Sequence, residues 1–345
     1  MTTKTGATTG MAESYNSNSL PQREIIESST SLIEKGIENL DISPGKSSIM
    51  IADFGSSHGS NSMHVIKFII DYIQKSKKTD RHFLTVHIDL PTNDWEAFFG
   101  TLDKKDKKFF SLVIGQSFYK QCLPPNSLTV GYSSASLHWL SQIPCNISNQ
   151  CISVFAKGHE LEAFKKRARD DYQHFLENRS RELIQGGILI LVMNCTNDEG
   201  KTMTESVYDL LYQTAQSILS PDELLHYTLP VYIRSRDECV DKKLFNQYSF
   251  KLIHSNISTV DFKFYEQLKN NTINKEEFAE AQTKFIRCAT DSVLRGVLES
   301  TENRSKENID QLSNEFWNMY YKGVYENEDN FDIGCCQAYV VLKKV

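Results

Sequence analysis

The chain has 345 residues, of which 40% are apolar and 24% charged, and its formal net charge is −6. That length suits one large domain, or a core with an inserted one, of ordinary globular composition. The acidic balance argues against a dedicated nucleic-acid binder, which carries a basic excess, so we expect no nucleic-acid partner.

Eight cysteines lie at positions 122, 145, 151, 195, 239, 288, 335 and 336, and none forms a Cys-x-x-Cys pair. The spacing supports no zinc framework, and no metal is expected. Residues 1–13 are small and polar and read as a disordered tail rather than a leader or membrane span. These features predict reduced thiols, a cytoplasmic location and no membrane partner.

Residues 20–40 carry Ile25, Ile26, Leu32, Ile33, Ile37 and Leu40 and are predicted to form a helix, closed by a turn at Pro44-Gly45. An apolar run from Ile49 to Ala52 then meets Asp53 and a Gly/Ser-rich turn. Val65, Ile66, Phe68, Ile69, Ile70 and Ile73 follow at helical spacing. Strand, tight loop and helix make the opening unit of a doubly wound sheet that holds a nucleotide-like ligand. Gly55 and Gly59 allow positive φ and close approach of the backbone. Asp53 brings an anion to the crevice, which repels a pyrophosphate and attracts a sulfonium. Gly-x-Gly-x-x-Gly is missing, which disfavours a dinucleotide.

Further strands are predicted at 83–88, 109–114, 127–131 and 188–193. Helices are expected at 94–102 and 159–184, the second stopped by Gly186-Gly187. A helical turn is expected around 136–141. Two lysine- and arginine-rich runs, Lys104–Lys108 and Lys165–Arg169, read as solvated surface. Beyond residue 197 helices dominate, at 201–218, 221–226, 260–268, 275–299 and 307–324, interrupted by strand-like runs at 250–257 and 338–342.

The fold class expected is therefore α/β, a doubly wound, Rossmann-like sheet with an α-helical cap. Residues 14–197 form the core with the donor site. Residues 198–248 and 258–334 form cap insertions, and 249–257 and 335–345 supply late core strands.

Three segments converge on the carboxyl edge of such a sheet. They are the Asp53 loop with Asn61, Asp89-Leu90 after the second strand, and Ser117-Phe118 after the third. A carboxylate at Asp89 accepts hydrogen bonds from ribose hydroxyls. The Phe118 ring beside a hydroxyl suits an adenine. Asp89 could instead cap the helix near Asp94, and Phe118 could be plain core. Trp139 offers one indole N–H and Gln22 an amide, neutral donors for a carboxylate, though a lone Trp is ordinarily core.

With these residues in place, the chain resembles the SABATH family of S-adenosylmethionine-dependent methyltransferases. Tyr15-Asn-Ser-Asn-Ser-Leu-Pro-Gln22 is similar to that family's Tyr-x-x-Asn-Ser-x-x-Gln. Ile51-Ala-Asp-Phe-Gly-Ser-Ser-His-Gly-Ser-Asn61 is similar to Ile-Ala-Asp-Leu-Gly-Cys-Ser-Ser-Gly-Pro-Asn. Asp89-Leu-Pro-Thr-Asn-Asp94, Gln116-Ser-Phe-Tyr119 and the Ser133–Pro144 stretch complete five motifs in order. The resemblance implies that Tyr15, Ser19, Asp53, Gly55, Asn61, Asp89, Leu90, Ser117 and Phe118 contact S-adenosyl-L-methionine, which leaves as S-adenosyl-L-homocysteine. It implies that Gln22 and Trp139 hold the carboxylate of a small organic acid, which becomes a methyl ester, and that the fold is a methyltransferase sheet with an α-helical cap, often assembled as a homodimer.

Ala135 stands where the family usually has Tyr, and His138 where salicylate-type members have Met. Both should face the acceptor and favour a larger or more polar one. Arg234 and Arg236 read as solvated, with a reach to the acceptor left open. No dedicated catalytic residue is expected. N-methylation of a heterocycle such as a xanthine, and a non-catalytic binding module on the same fold, stay open.

Overall fold

The computed structural model describes residues 7–12, 15–42, 47–102, 109–301, 303–331 and 334–345. In chain order, helices α1 (Tyr15–Asn18), α2 (Leu20–Ser28) and α3 (Thr30–Glu38) precede β1 (Ile49–Phe54) and α4 (Ser60–Lys77). Then come β2 (Phe83–Asp89), α5 (Trp95–Gly100), β3 (Phe109–Gly115), β4 (Leu128–Ser134), α6 (Gly158–Glu182) and β5 (Leu183–Asn194). Four helices follow: α7 (Glu205–Ile218), α8 (Pro221–His226), α9 (Arg236–Cys239) and α10 (Lys242–Gln247). The chain continues with β6 (Phe250–Asp261), α11 (Lys263–Lys269), α12 (Lys275–Thr301), α13 (Lys306–Glu326) and β7 (Gly334–Lys344).

The strands form one seven-stranded sheet in the order β3-β2-β1-β4-β5-β7-β6. The first five are parallel, and β7 runs antiparallel between β5 and β6. This is the doubly wound α/β sheet that the sequence predicts. Alternate side chains of β1 go to opposite faces, as the pleat requires. Ile49 and Ile51 join α2, α3 and α4 on one side, while Ala52 and Phe54 meet Phe175 and Leu176 of α6 on the other. Burial on both faces explains why β1 and β5 read as continuous apolar runs.

The strand order reverses between β1 and β4, which lie side by side. The parallel strands all end on the same edge, so Asp53, Asp89, Gly115, Ser134 and Asn194 mark the rim of one crevice. Ligands of open α/β sheets bind at such a switch point.

Several expected elements differ in detail. The helix over 20–40 is two helices, broken at Ser29, whose buried hydroxyl donates to the Ile26 carbonyl at 2.7 Å. That local bond competes with continued helix. Gly186-Gly187 does not end a helix. α6 stops at Glu182, and the glycines lie in a bulge where Leu128 pairs with Leu183 but Val130 with Ile188. Gly186 has φ +78°, and a Cβ there would lie 2.6 Å from Asp41. No helix forms over 136–141; instead Trp139 bridges to Val231. β6 extends past Ile257 to Asp261.

Residues 7–12 correct the expected disordered tail, because Gly10 is buried and Ala12 N–H donates to Cys288 O at 2.9 Å. Residues 1–6 and 13, and the basic run at Lys104–Lys108, lie outside the described residues. Among the described residues no helix is long and apolar enough to cross a membrane.

Candidate active site

Two cavities open at the carboxyl edge. The first, about 690 Å³, is walled by Tyr15, Gly55, Asp89, Leu90, Ser117, Phe118, Ala135 and Trp139, and also by Thr8, Gly10 and Met11. The second, about 900 Å³, lies between the sheet edge and the cap and takes in Gln22, Ala135, His138 and Trp139. Met11, Tyr15, Ala135 and Trp139 belong to both walls. The two spaces therefore meet where the sequence places the boundary between donor and acceptor.

The loop after β1 turns because Gly55 and Gly59 adopt φ of +102° and +92°. A Cβ on Gly55 would lie 2.2 Å from Ser136 Oγ, and one on Gly59 would lie 2.5 Å from the Phe98 ring. These glycines thus serve close packing within the protein as much as access for a ligand. Asp89 does not cap the next helix; Asp94 does, accepting from Ala97 N–H at 2.8 Å. The Asp89 carboxylate instead accepts from Ser57 N–H at 2.7 Å and Leu90 N–H at 2.8 Å. Burial raises its pKa, and those two N–H groups oppose the rise. One lone pair on each oxygen remains for a diol. The Ser57 hydroxyl, also in this wall, has no partner among the described residues.

Ser19, Asp53 and Asn61 line neither cavity. Asn61 Nδ2 donates to Ser19 Oγ at 3.0 Å, and its Oδ1 accepts from Arg23 Nε at 2.7 Å, so the pair ties α2 to the start of α4. Asp53 lies in the sheet between His87 and Tyr132 and is 4% exposed. Burial pushes its carboxyl up to about 7, with Ser62 opposing and Asp89 adding. Behind it, Ser62 Oγ meets His87 Nδ1 at 2.7 Å, and burial drops that imidazole to about 3.

In the second cavity, Gln22 Oε1 and His138 Nδ1 are buried without a hydrogen-bond partner among the described residues. Burial, then the nearby Arg234, lowers His138 to about 3, so the ring is neutral and weakly basic. Ala135 has φ +48°, a left-handed conformation that a residue with a Cβ rarely adopts. Its N–H donates to Val192 O at 2.9 Å. Such strain at the junction of two cavities is typical of functional sites.

Arg234 is a correction. It is buried rather than solvated, donates to Leu137 O at 2.5 Å and Ala168 O at 2.7 Å, and lies over the Tyr172 ring. It faces a different groove from the second cavity, and Arg236 is exposed. No group of three or more His, Cys, Asp or Glu side chains that could hold a metal occurs among the described residues.

Sequence reasoning missed the supports. Tyr119 Oη donates to Trp139 O at 2.7 Å and so places the indole loop. Arg179 and Glu182, both fully buried, hold the loop that carries Ser117 and Phe118. Arg179 donates to Phe118 O at 2.7 Å and Lys120 O at 3.0 Å, while Glu182 accepts from Cys122 N–H at 2.6 Å and Leu123 N–H at 3.0 Å. An Arg/Glu pair three apart on a polar helix carries no sequence mark that separates it from a surface pair.

The profile of the "SAM dependent carboxyl methyltransferase" family matches residues 3–345. A probable S-adenosylmethionine-dependent methyltransferase of Arabidopsis thaliana is 31% identical over 250 residues, covering 64% of this chain and 69% of that one. A probable jasmonic acid carboxyl methyltransferase of Theobroma cacao is 32% identical over 234 residues, covering 60% of this chain and 62% of that one, less than two thirds of its length. The benzoic acid/salicylic acid carboxyl methyltransferase 3 of Petunia hybrida is 29% identical over 288 residues, covering 76% and 80%. A solved loganic acid methyltransferase with SAH has the same fold, at TM-score 0.81, 22% identity and 98% coverage of each chain. The chain belongs to the S-adenosylmethionine-dependent carboxyl methyltransferases.

Proposed function

We propose that the first cavity holds S-adenosylmethionine, the second holds a small organic acid, and the methyl group passes between them beside Tyr15, Ala135 and Trp139. The observation that carries this reading is the shared wall of the two cavities. One cavity has a buried carboxylate and an aromatic ring; the other has neutral donors.

Asp89 would take the ribose hydroxyls, and Ser117 and Phe118 would take the adenine. When bound, S-adenosylmethionine supplies an electrophilic methyl group on a cationic sulfur. Asp53, behind the wall, would favour that cation when ionised. Gln22 and Trp139 would orient the acceptor carboxylate. Neutral donors leave more of its nucleophilicity than a Lys or Arg salt bridge would. A carboxylate with a reference pKa of roughly 4 is already ionised at neutral pH, so no base is needed. Orientation in a closed site supplies ~7–11 kcal/mol when geometry is good. His138, held neutral and weakly basic, shapes the pocket and does not abstract a proton, which weighs against N-methylation. All eight cysteines are free thiols, which fits the cytoplasm. A homodimer is the assembly we propose, on the resemblance of the motifs.

The test is methyl transfer from labelled donor to a panel of aromatic, aliphatic and indolic acids, with alkaline release of methanol as the signature of an ester. Trp139→Ala should abolish ester formation and leave donor affinity near wild type. Donor binding without turnover on any acid would instead mark a binding module.

A further inference from the structure

We infer that Ser62, His87, Thr85 and Ser111 form a hydrogen-bond relay behind the first cavity, which passes the Asp53 proton to the edge of the sheet when a cationic methyl donor binds and leaves His87 in its other tautomer. This rests on the donor half of the methyl-transfer reading above. It adds a positioning residue, His87, that acts on the donor through Ser62 and Asp53.

The pleat sets these side chains in one row. Asp53 of β1 lies in register with His87 of β2, and Thr85, two residues earlier on β2, lies in register with Ser111 of β3. Such residues share one face of a parallel sheet, here the face under α4. Ser62, in the first turn of α4, closes the gap between the strands. It hydrogen-bonds Asp53, and its Oγ lies 2.7 Å from His87 Nδ1. His87 Nε2 is 3.2 Å from Thr85 Oγ1, which is 2.9 Å from Ser111 Oγ. Asp53, Ser62, Thr85 and His87 are buried, while Ser111 is partly exposed on the outer strand. The row therefore runs from the back of the donor wall towards solvent. It crosses a layer otherwise built from Ile51, Val65, Ile66 and Ile69. A polar row is tolerated in such a layer when its members satisfy one another.

His87 is neutral, because burial drops its imidazole to about 3, so one ring nitrogen donates and the other accepts. That leaves the row two arrangements. With Asp53 protonated, its O–H donates to Ser62, Ser62 O–H to Nδ1, Nε2–H to Thr85, and Thr85 O–H to Ser111. With Asp53 ionised, every bond reverses: Ser111 O–H donates to Thr85, Thr85 O–H to Nε2, Nδ1–H to Ser62, and Ser62 O–H to the carboxylate. Between the two, the Asp53 proton goes to Ser62, that of Ser62 to Nδ1, that of Nε2 to Thr85, that of Thr85 to Ser111, and that of Ser111 to water. One proton leaves, and His87 ends as neutral as it began. The titratable groups that face Asp53 are Tyr15 of α1, His87 and Asp89 of β2, and Tyr132 of β4. None of these is a cation, and burial holds both tyrosines protonated. A sulfonium in the first cavity supplies the positive charge that favours ionised Asp53, and the row supplies the exit for its proton.

The experiment is nitrogen-15 NMR of the full chain labelled at histidine, with His87 assigned through the Phe98 ring, whose centroid lies 4.7 Å from its own. At pH 6, S-adenosylmethionine should move the imidazole hydrogen from Nε2 to Nδ1. S-adenosylhomocysteine, which lacks the positive sulfur, should leave it on Nε2. Calorimetry at pH 6 in two buffers of different ionisation heat should show about one proton released per S-adenosylmethionine bound and about none per S-adenosylhomocysteine. Ser62→Ala cuts the row beside Asp53. It should uncouple the His87 tautomer from the donor and weaken S-adenosylmethionine by about 10-fold at pH 7, as loss of a hydrogen bond to a charged group does. Its affinity for S-adenosylhomocysteine should stay at the wild-type value, which also verifies the fold. A wild-type His87 tautomer that ignores S-adenosylmethionine, or binding without proton release, overturns the inference and leaves the donor site standing. An equal loss of both affinities in Ser62→Ala also overturns it, because it marks a merely structural role. Failure of the wild type to bind either compound overturns the donor reading and this inference with it.

Discussion

Asp53 is a carboxyl group enclosed in the sheet, and the penalty on its ionised form is measurable. Its folded-state carboxyl sits at about 7 because it is buried, whereas an unfolded Asp titrates near roughly 3.9. The folded chain therefore holds this proton more tightly. The stability this group contributes is full below about 4 and is lost as pH rises to about 7. Asp53→Asn should stabilise the ligand-free protein at pH 8 by up to about 4 kcal/mol, read from urea denaturation between pH 4 and 8. Wild-type donor affinity should rise as pH passes about 7, because only ionised Asp53 attracts the cation, and Asp53→Asn should abolish that rise in calorimetry. At Ala135 a small side chain lines both cavities, and a ring there would fill part of that space. Ala135→Tyr should lower kcat/KM for bulky acids more than for benzoate, in side-by-side turnover with labelled donor. That Asp89, Ser117, Phe118, Gln22 and Trp139 come together at one sheet edge was legible from their types and order. Which ones touch open space was not: Asp53 and Asp89 look alike as carboxylates at strand ends. Asp53 is enclosed by strands on both sides, and only Asp89, at the last position of β2, reaches the wall.

At the level of elements, the donor site depends on how α6 grips the loop after β3. Arg179 and Glu182 make four hydrogen bonds to that loop's backbone from a fully buried ion pair. Arg179→Met should leave Glu182 as an uncompensated buried charge and cost about 3–5 kcal/mol in denaturant unfolding. It should weaken donor binding, seen by calorimetry, and leave the KM for the acid nearly unchanged. The strands were readable because burial on both faces makes them continuously apolar, as Ile188 to Met193 shows. The glycines at 186–187 misled because a glycine after a helix and a glycine in a bulge look the same in sequence; here packing against Asp41 decides. The break at Ser29 turns on one side-chain bond that propensity does not reveal.

The whole molecule is a sheet whose ligand edge is roofed by helices from the second half of the chain. In that roof α12 and α13 are clamped around Asp291. It accepts from Ser313 Oγ at 2.8 Å and Trp317 Nε1 at 2.5 Å, and pairs with Arg295 at 2.8 Å. Asp291→Asn should cost about 1.5–3 kcal/mol, the usual range for hydrogen bonds to a charged group. It should speed hydrogen exchange in α12 and lower kcat with little change in donor affinity. The existence of these cap helices followed from their periodicity. Their side of the second cavity did not, since Phe262, Gln282 and Phe285 line it together with Gln22 across some 240 or more residues of sequence. Among the described residues, no Lys, Arg, Asp or Glu lines that cavity. A pocket without a cation has little means of telling a carboxylate from its methyl ester, and the ester is the more apolar of the two. Product should then linger in the pocket and compete with fresh acid, so turnover slows as ester accumulates, and an apolar sink such as an organic overlayer should restore the rate.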